Sequence, residues 1–168
     1  MSKVQEFKIQ SIGIIRTPFK SSTDVPIQSI KSGIQGYIEL SEEFRDGLKS
    51  LSGFSHIILL YWFHRAKAPK LQAKPYLDSD LHGIFAIRAP SRPNPIGISI
   101  VKLVSIEGTR LHIAGVDMLD KTPLLDIKPF VPEYDNRPLA TSGWLEKSLL
   151  SGEHSFKADD RFENNQNQ

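Results

Sequence analysis

"GISIVKLVSIEGTRLHI", residues 97–113, holds two runs of β-branched and aliphatic residues on either side of Gly108 and Thr109. That is the pattern of two antiparallel strands joined by a tight hairpin. The first run is apolar on both faces, which suits a closed or strongly curled antiparallel sheet with something packed outside it. Similar strand-like runs cover residues 7–17, 34–40, 55–64, 83–88 and 110–119. Only two stretches look helical. "SEEFRDGLKSL" (41–51) offers Ser41 as an N-cap, with Phe44, Leu48 and Leu51 at spacings of four and three. "SGWLEKSLLSG" (142–152) is the weaker one. The expectation is an all-β fold with minor helices, a small antiparallel β-barrel. It would span residues 1–140, followed over 141–168 by a C-terminal helix and a flexible polar tail.

At 168 residues, 39% hydrophobic and 24% charged, the chain has the make-up of one soluble globular domain with a real core. It contains no cysteine, which excludes disulfides and thiolate metal sites. Its five histidines are scattered without ligand spacing, so no metal is expected. "MSKVQEFKIQ" is not an apolar signal segment and no apolar run is long enough to span a membrane, so a cytoplasmic location is expected. The net charge of +2 permits nucleic-acid binding through a local patch without arguing for it.

No glycine-rich phosphate loop, dinucleotide-binding glycine fingerprint, His-Glu-x-x-His pair or nucleophile elbow is present. Chemistry-bearing residues gather instead at strand ends. His64 closes "SHIILLYWFH" and opens the long polar connection 64–83; it is either a surface histidine or part of a site. In "FAIRAPSRPNPIGIS" (85–99), three prolines stiffen a connection bearing Arg88, Arg92 and Asn94. The two guanidinium groups either reach water or aim at an anion. In "DMLDKTPLLDIKPFVP" (117–132), Asp126 and Lys128 share a face of extended chain. They are either an ion pair at a strand end or a carboxylate and an ammonium framing a substrate.

Taken in order, "IGIIRTPFK", Pro26-Ile27-Gln28, "GFSHIILLYWFH", "FAIRAPSRPNPIG" and "DMLDKTPLLDIKPF" resemble the TsaA/TrmO family over about residues 7–132. "RPNPIG" and "DIKP", in that order and spacing, are its specific elements. The resemblance implies a non-Rossmann methyltransferase fold and S-adenosyl-L-methionine as cofactor. It implies methylation of N6 of threonylcarbamoyladenosine at position 37 of tRNA, commonly by a homodimer. Carried over position by position, the cofactor-binding residues are Pro26, Ile27, Gln28, His64, Arg65, Arg88, Ile98, Leu119, Asp120, Lys121 and Thr122. Lys121 stands where the family has glycine, and Arg65 where glutamine is frequent.

Methylating a urea-like nitrogen calls for an acceptor for its proton. Asp126 is the first candidate and Asp117 the second, with Lys128 orienting the carboxylate or the substrate. Arg92 and Asn94 are expected at the substrate. Lys67, Lys70 and Lys74 either contact phosphates of the tRNA anticodon loop or belong to a solvated loop. Two other readings stay open: a methyltransferase of this fold acting on a small molecule or another RNA, and a non-catalytic S-adenosylmethionine-binding module.

Overall fold

The computed structural model describes residues 5–26 and 32–147. Eight strands follow in chain order: β1 (Gly13–Arg16), β2 (Gln35–Leu40), β3 (His56–Trp62), β4 (Gln72–Ala73), β5 (His82–Gly83), β6 (Ile96–Glu107), β7 (Arg110–Ala114) and β8 (Thr122–Pro129). Six of them close a barrel in the order β1-β2-β7-β6-β3-β8, every neighbouring pair antiparallel. Closure leaves no unpaired sheet edge.

The hairpin falls where the sequence puts it. Glu107 pairs with Arg110, and Gly108, at φ +62°, takes the left-handed position that only glycine adopts without strain. Alternation then sorts the strands into two faces. Ile15, Ile38, Ile57, Leu59, Leu111, Ile113 and Leu124 point inward and are fully buried. The outward row of β3, Ile58 and Leu60, lies directly opposite Ile100 and Ile98 of β6. Ile98 and Ile100 remain 50% and 42% exposed.

Three expectations are corrected. Residues 83–88 do not form a strand: β5 ends at Gly83 and a 3-10 turn, Ile84–Ala86, follows. Ile84 and Ile87 are buried while Ala86 and Arg88 are exposed, the three-residue repeat of a 3-10 turn and not the alternation of a strand. "SEEFRDGLKSL" is not an α-helix but two 3-10 segments, Glu42–Leu48 and Leu51–Gly53, broken at Ser50 with φ +69°. Ser41 does sit at the N-cap, without a side-chain cap bond, and Phe44, Leu48 and Leu51 pack on the barrel core. The strand expected over 110–119 ends at Ala114. Residues 122–129, read only as a polar cluster in extended chain, supply the strand that closes the barrel onto β1 and β3. Of the C-terminal segment, residues 145–147 are helical. The polar tail expected beyond 147 lies outside the described residues.

Candidate active site

One end of the barrel opens into a cleft of about 190 Å³. Its floor is the end of β3 and the start of β6. Tyr61 pairs with Gly97, and a side chain at position 97 would put its Cβ 2.2 Å from Tyr61 Cε2 and 2.9 Å from Phe63 Cζ. The glycine of "RPNPIG" is therefore a seat for two aromatic rings, themselves packed edge to face with centroids 5.4 Å apart. The prolines before it fix the approach. The carbonyl of Pro95 accepts from the Phe63 N–H at 2.7 Å, tying the rigid loop to the end of β3. A β-bulge at Leu60/Tyr61, where β3 meets β8, lies beside the floor, a common position for a bulge next to a site.

The walls come from four further segments. Val25 and Pro26 line one side, His64, Arg65 and Ala66 another. Arg88, Pro90 and Arg92 line a third, and Asp117, Met118, Leu119 and Thr122 the fourth. Arg92 folds back to donate to the Ile87 carbonyl at 3.2 Å, which fixes its guanidinium at the rim. His64 Nδ1 lies 3.4 Å from Thr122 Oγ1, and that hydroxyl donates to the Leu119 carbonyl at 2.7 Å. Partial burial, with the Arg65 charge alongside, holds the His64 imidazole below its ordinary pKa, against the opposing pull of Asp120. The ring is neutral at neutral pH.

A buried polar chain leads into the cleft from the floor. Ser99 Oγ donates to Asp117 Oδ1 at 2.5 Å, and Tyr61 Oη lies 3.0 Å from Ser99 Oγ. A serine has one hydroxyl proton and Ser99 gives it to the carboxylate, so Tyr61 is the donor in the second bond. Burial first, then the Asp117 charge, pushes the Tyr61 phenol well above its ordinary pKa, so it keeps its proton.

Of the residues expected at the cofactor, Pro26, His64, Arg65, Arg88, Ile98, Leu119 and Thr122 line this cleft. Ile27 and Gln28 lie outside the described residues. Asp120 does not face the cleft. It accepts from the Thr17 N–H at 3.2 Å and from Lys20 Nζ at 2.6 Å, latching the start of the loop that leads to Pro26. Burial raises its pKa, but Lys20 and the backbone N–H groups of Thr17 and Lys121 outweigh that and hold it low. Lys121 is exposed at φ +64°, a left-handed conformation that favours glycine, and it is not part of the cleft lining.

Among the substrate and catalytic candidates, Asp117 and Arg92 line the cleft. Asn94, Lys67, Lys70 and Lys74 are exposed and are not part of its lining. Asp126 and Lys128 pair with each other at 2.8 Å and do not line it. Asp126 sits opposite Leu60, which sits opposite Ile98, so Asp126 shares the outer face of the barrel with them. Sequence reasoning missed Tyr61, Ser99 and Phe63. The alternation that puts Tyr61 and Phe63 on one face of β3, opposite a glycine of β6, is the signal that would have found the two rings. Among the described residues no cluster of potential metal ligands occurs, and no helix is long and apolar enough to cross a membrane.

The barrel matches solved structures of TrmO. The crystal structure of TrmO from Pseudomonas aeruginosa superposes with a TM-score of 0.71 at 36% identity, over 83% of this chain and 63% of that one. The tRNA-methyltransferase O N-terminal domain profile matches residues 14–136, and the chain belongs to that family. A protein of Pyrococcus abyssi described as a "Probable S-adenosyl-L-methionine-binding protein" is 55% identical over 152 residues, covering 90% of this chain and 82% of that protein. The mouse tRNA (adenine(37)-N6)-methyltransferase is 35% identical over 135 residues, covering 76% of this chain and 31% of that protein.

Proposed function

We propose that the chain binds S-adenosyl-L-methionine in the cleft and methylates N6 of threonylcarbamoyladenosine at position 37 of tRNA, in the cytoplasm. The observation that carries this reading is convergence. Seven cofactor positions, spread from Pro26 to Thr122, meet one cleft whose wall also holds the Asp117 carboxylate. The residues fit such a group. The Asp117 carboxylate suits a sulfonium or ammonium cation, and a neutral His64 adds no opposing charge. Tyr61, Phe63 and Ile98 give an apolar surface for a purine, and Arg88 and Arg92 suit a carboxylate or a phosphate.

When bound, the cofactor supplies an electrophilic methyl group, so the protein's share is positioning and a proton acceptor. Asp117, oriented by Ser99 and Tyr61, takes the N6 proton as the new carbon–nitrogen bond forms. Arg92 at the cleft wall, with the exposed Asn94, Lys67, Lys70 and Lys74, holds the anticodon loop by its phosphates.

A second copy of the chain covers the outer face formed by Ile58, Leu60, Ile98 and Ile100, which are contiguous across β3 and β6. Ile98 belongs both to that face and to the cleft, and Asp126 and Lys128 lie on the same face. The dimer seam therefore runs along the cleft edge and brings the Asp126–Lys128 pair close to it.

The test is incubation with radiolabelled S-adenosylmethionine and total tRNA from a strain lacking its own activity, followed by nucleoside analysis. Label in N6-methylated threonylcarbamoyladenosine is the expected result. Relatives described only as S-adenosyl-L-methionine-binding favour a second reading, a non-catalytic binding module. Cofactor binding by calorimetry without transfer to any RNA would establish that second reading instead.

A further inference from the structure

Outside the barrel core lies a second, smaller one. Ile84, Ile87 and Ala89 are buried against Ala73 and Trp144. Trp144 comes from the segment after the barrel, yet it is the side chain that covers this cluster. Its ring stacks on His82 with centroids 4.5 Å apart and planes at 24°. His82 is in turn held by Asp78, 3.0 Å from its Nε2. The Trp144 indole N–H donates to the Ala86 carbonyl at 2.9 Å.

The next carbonyl along the chain, that of Ile87, is the one that receives the Arg92 guanidinium. Two adjacent peptide groups thus link Trp144 on one side to a cleft arginine on the other. Arg88 stands immediately beyond them, and Tyr76 and Pro90 of the same lobe also line the cleft. This lobe shares few strand bonds with the barrel: its own sheet, β4 with β5, pairs only two residues with two. Its rigidity then rests on the small core and on Trp144.

We infer that Trp144 is a positioning residue for cofactor binding: it clamps residues 82–92 so that Arg88 and Arg92 are preset at the cleft wall. The inference rests on the reading of the cleft as the S-adenosylmethionine site. Arginines held in place before binding lose little freedom on binding, so releasing the lobe weakens affinity more than it slows chemistry. With two long side chains freed, the dissociation constant rises about five- to hundred-fold.

The test compares the full-length protein with Trp144→Ala and Trp144→Phe, using S-adenosylhomocysteine as the calorimetric probe and amide hydrogen exchange as an independent readout. In Trp144→Ala, exchange at residues 84–92 should speed up while β3 and β6 keep their protection. The dissociation constant should rise, and the single-turnover rate at saturating cofactor should stay within about two-fold. Trp144→Phe keeps the stacking partner and should recover most of the affinity. Unchanged exchange at 84–92 would show that Trp144 does not hold the lobe, and faster exchange with unchanged affinity that the lobe does not serve the cleft. Protection lost evenly across the barrel would make Trp144 a general structural residue; each of these three outcomes overturns the inference. Failure of the wild-type protein to bind the probe would instead sink the reading of the cleft, with the exchange data still reporting on the clamp.

Discussion

Ser99→Ala tests the buried chain that aims Asp117. The substitution removes one hydroxyl and nearly no volume, so packing is preserved. It leaves the Tyr61 hydroxyl, on a residue 3% exposed, without the acceptor it now uses. An unsatisfied buried donor costs about 1–3 kcal/mol. The bond lost by Asp117 costs less than a buried one, because that carboxylate is on the cleft wall and water can replace the serine. The expected loss is about 2 kcal/mol, and for a chain of this size a melting midpoint lower by roughly 4–8 °C. Tyr61→Phe in the same background removes the orphaned donor. The double variant should then be less destabilised than the sum of the two singles, by about 1 kcal/mol or more. Urea denaturation of the three variants measures this. Turnover provides the second readout: with the Ser99 bond to Asp117 gone, the single-turnover rate of Ser99→Ala should fall roughly ten-fold. Strict additivity, within about 0.5 kcal/mol, would show that Tyr61 does not depend on Ser99 and refute the chain as drawn.

Gly97→Ala drives a methyl group into Tyr61 and Phe63 and should destabilise by about 1–3 kcal/mol; in a Tyr61→Leu background, which removes the two nearest ring atoms and leaves the Phe63 contact, part of that penalty should vanish in thermal melts. His64 has a folded pKa below its unfolded value of 6.5, so the unfolded chain takes up the proton first as pH falls. The stability His64 contributes is therefore complete above about pH 6.5 and declines below it, and melts from pH 7.5 to 5 should show a shallower decline in His64→Gln. Neutralising two of Lys67, Lys70 and Lys74 should flatten the salt dependence of tRNA binding by about one unit of log–log slope for each phosphate no longer neutralised, with an unchanged slope pointing to a solvated loop. Asp117→Asn should lower single-turnover methylation at saturating cofactor by about 10²–10⁴-fold; if Asp126→Asn does so and Asp117→Asn does not, the proton acceptor sits at the dimer seam.

Local rules in the sequence were enough for the barrel's skeleton. Alternation in "SHIILLYWFH" and "GISIVKLVSI", with a glycine at the one hairpin position needing positive φ, specifies strands, faces and a tight turn through interactions only a few residues apart. Motif order likewise marked about half of the cleft residues, because a rigid proline-bearing loop and a polar turn are written in consecutive residues. What needed the tertiary structure was everything set by register and by contacts far apart in sequence. Periodicity over a few residues could not tell a 3-10 turn at 84–86 from a strand, because part of what this segment packs on lies far along the chain: Trp144 donates to the Ala86 carbonyl across 58 residues. Nor could it say which carboxylate faces the cleft. Asp117 and Asp126 read alike in the chain, but the bulge at Leu60/Tyr61 and the pairing with Leu60 put Asp126 on the outer face. Ser99 brings Asp117 to the wall across 18 residues, and joins it to Tyr61 across 38. Barrel closure makes those neighbours, and closure is a property of the whole sheet.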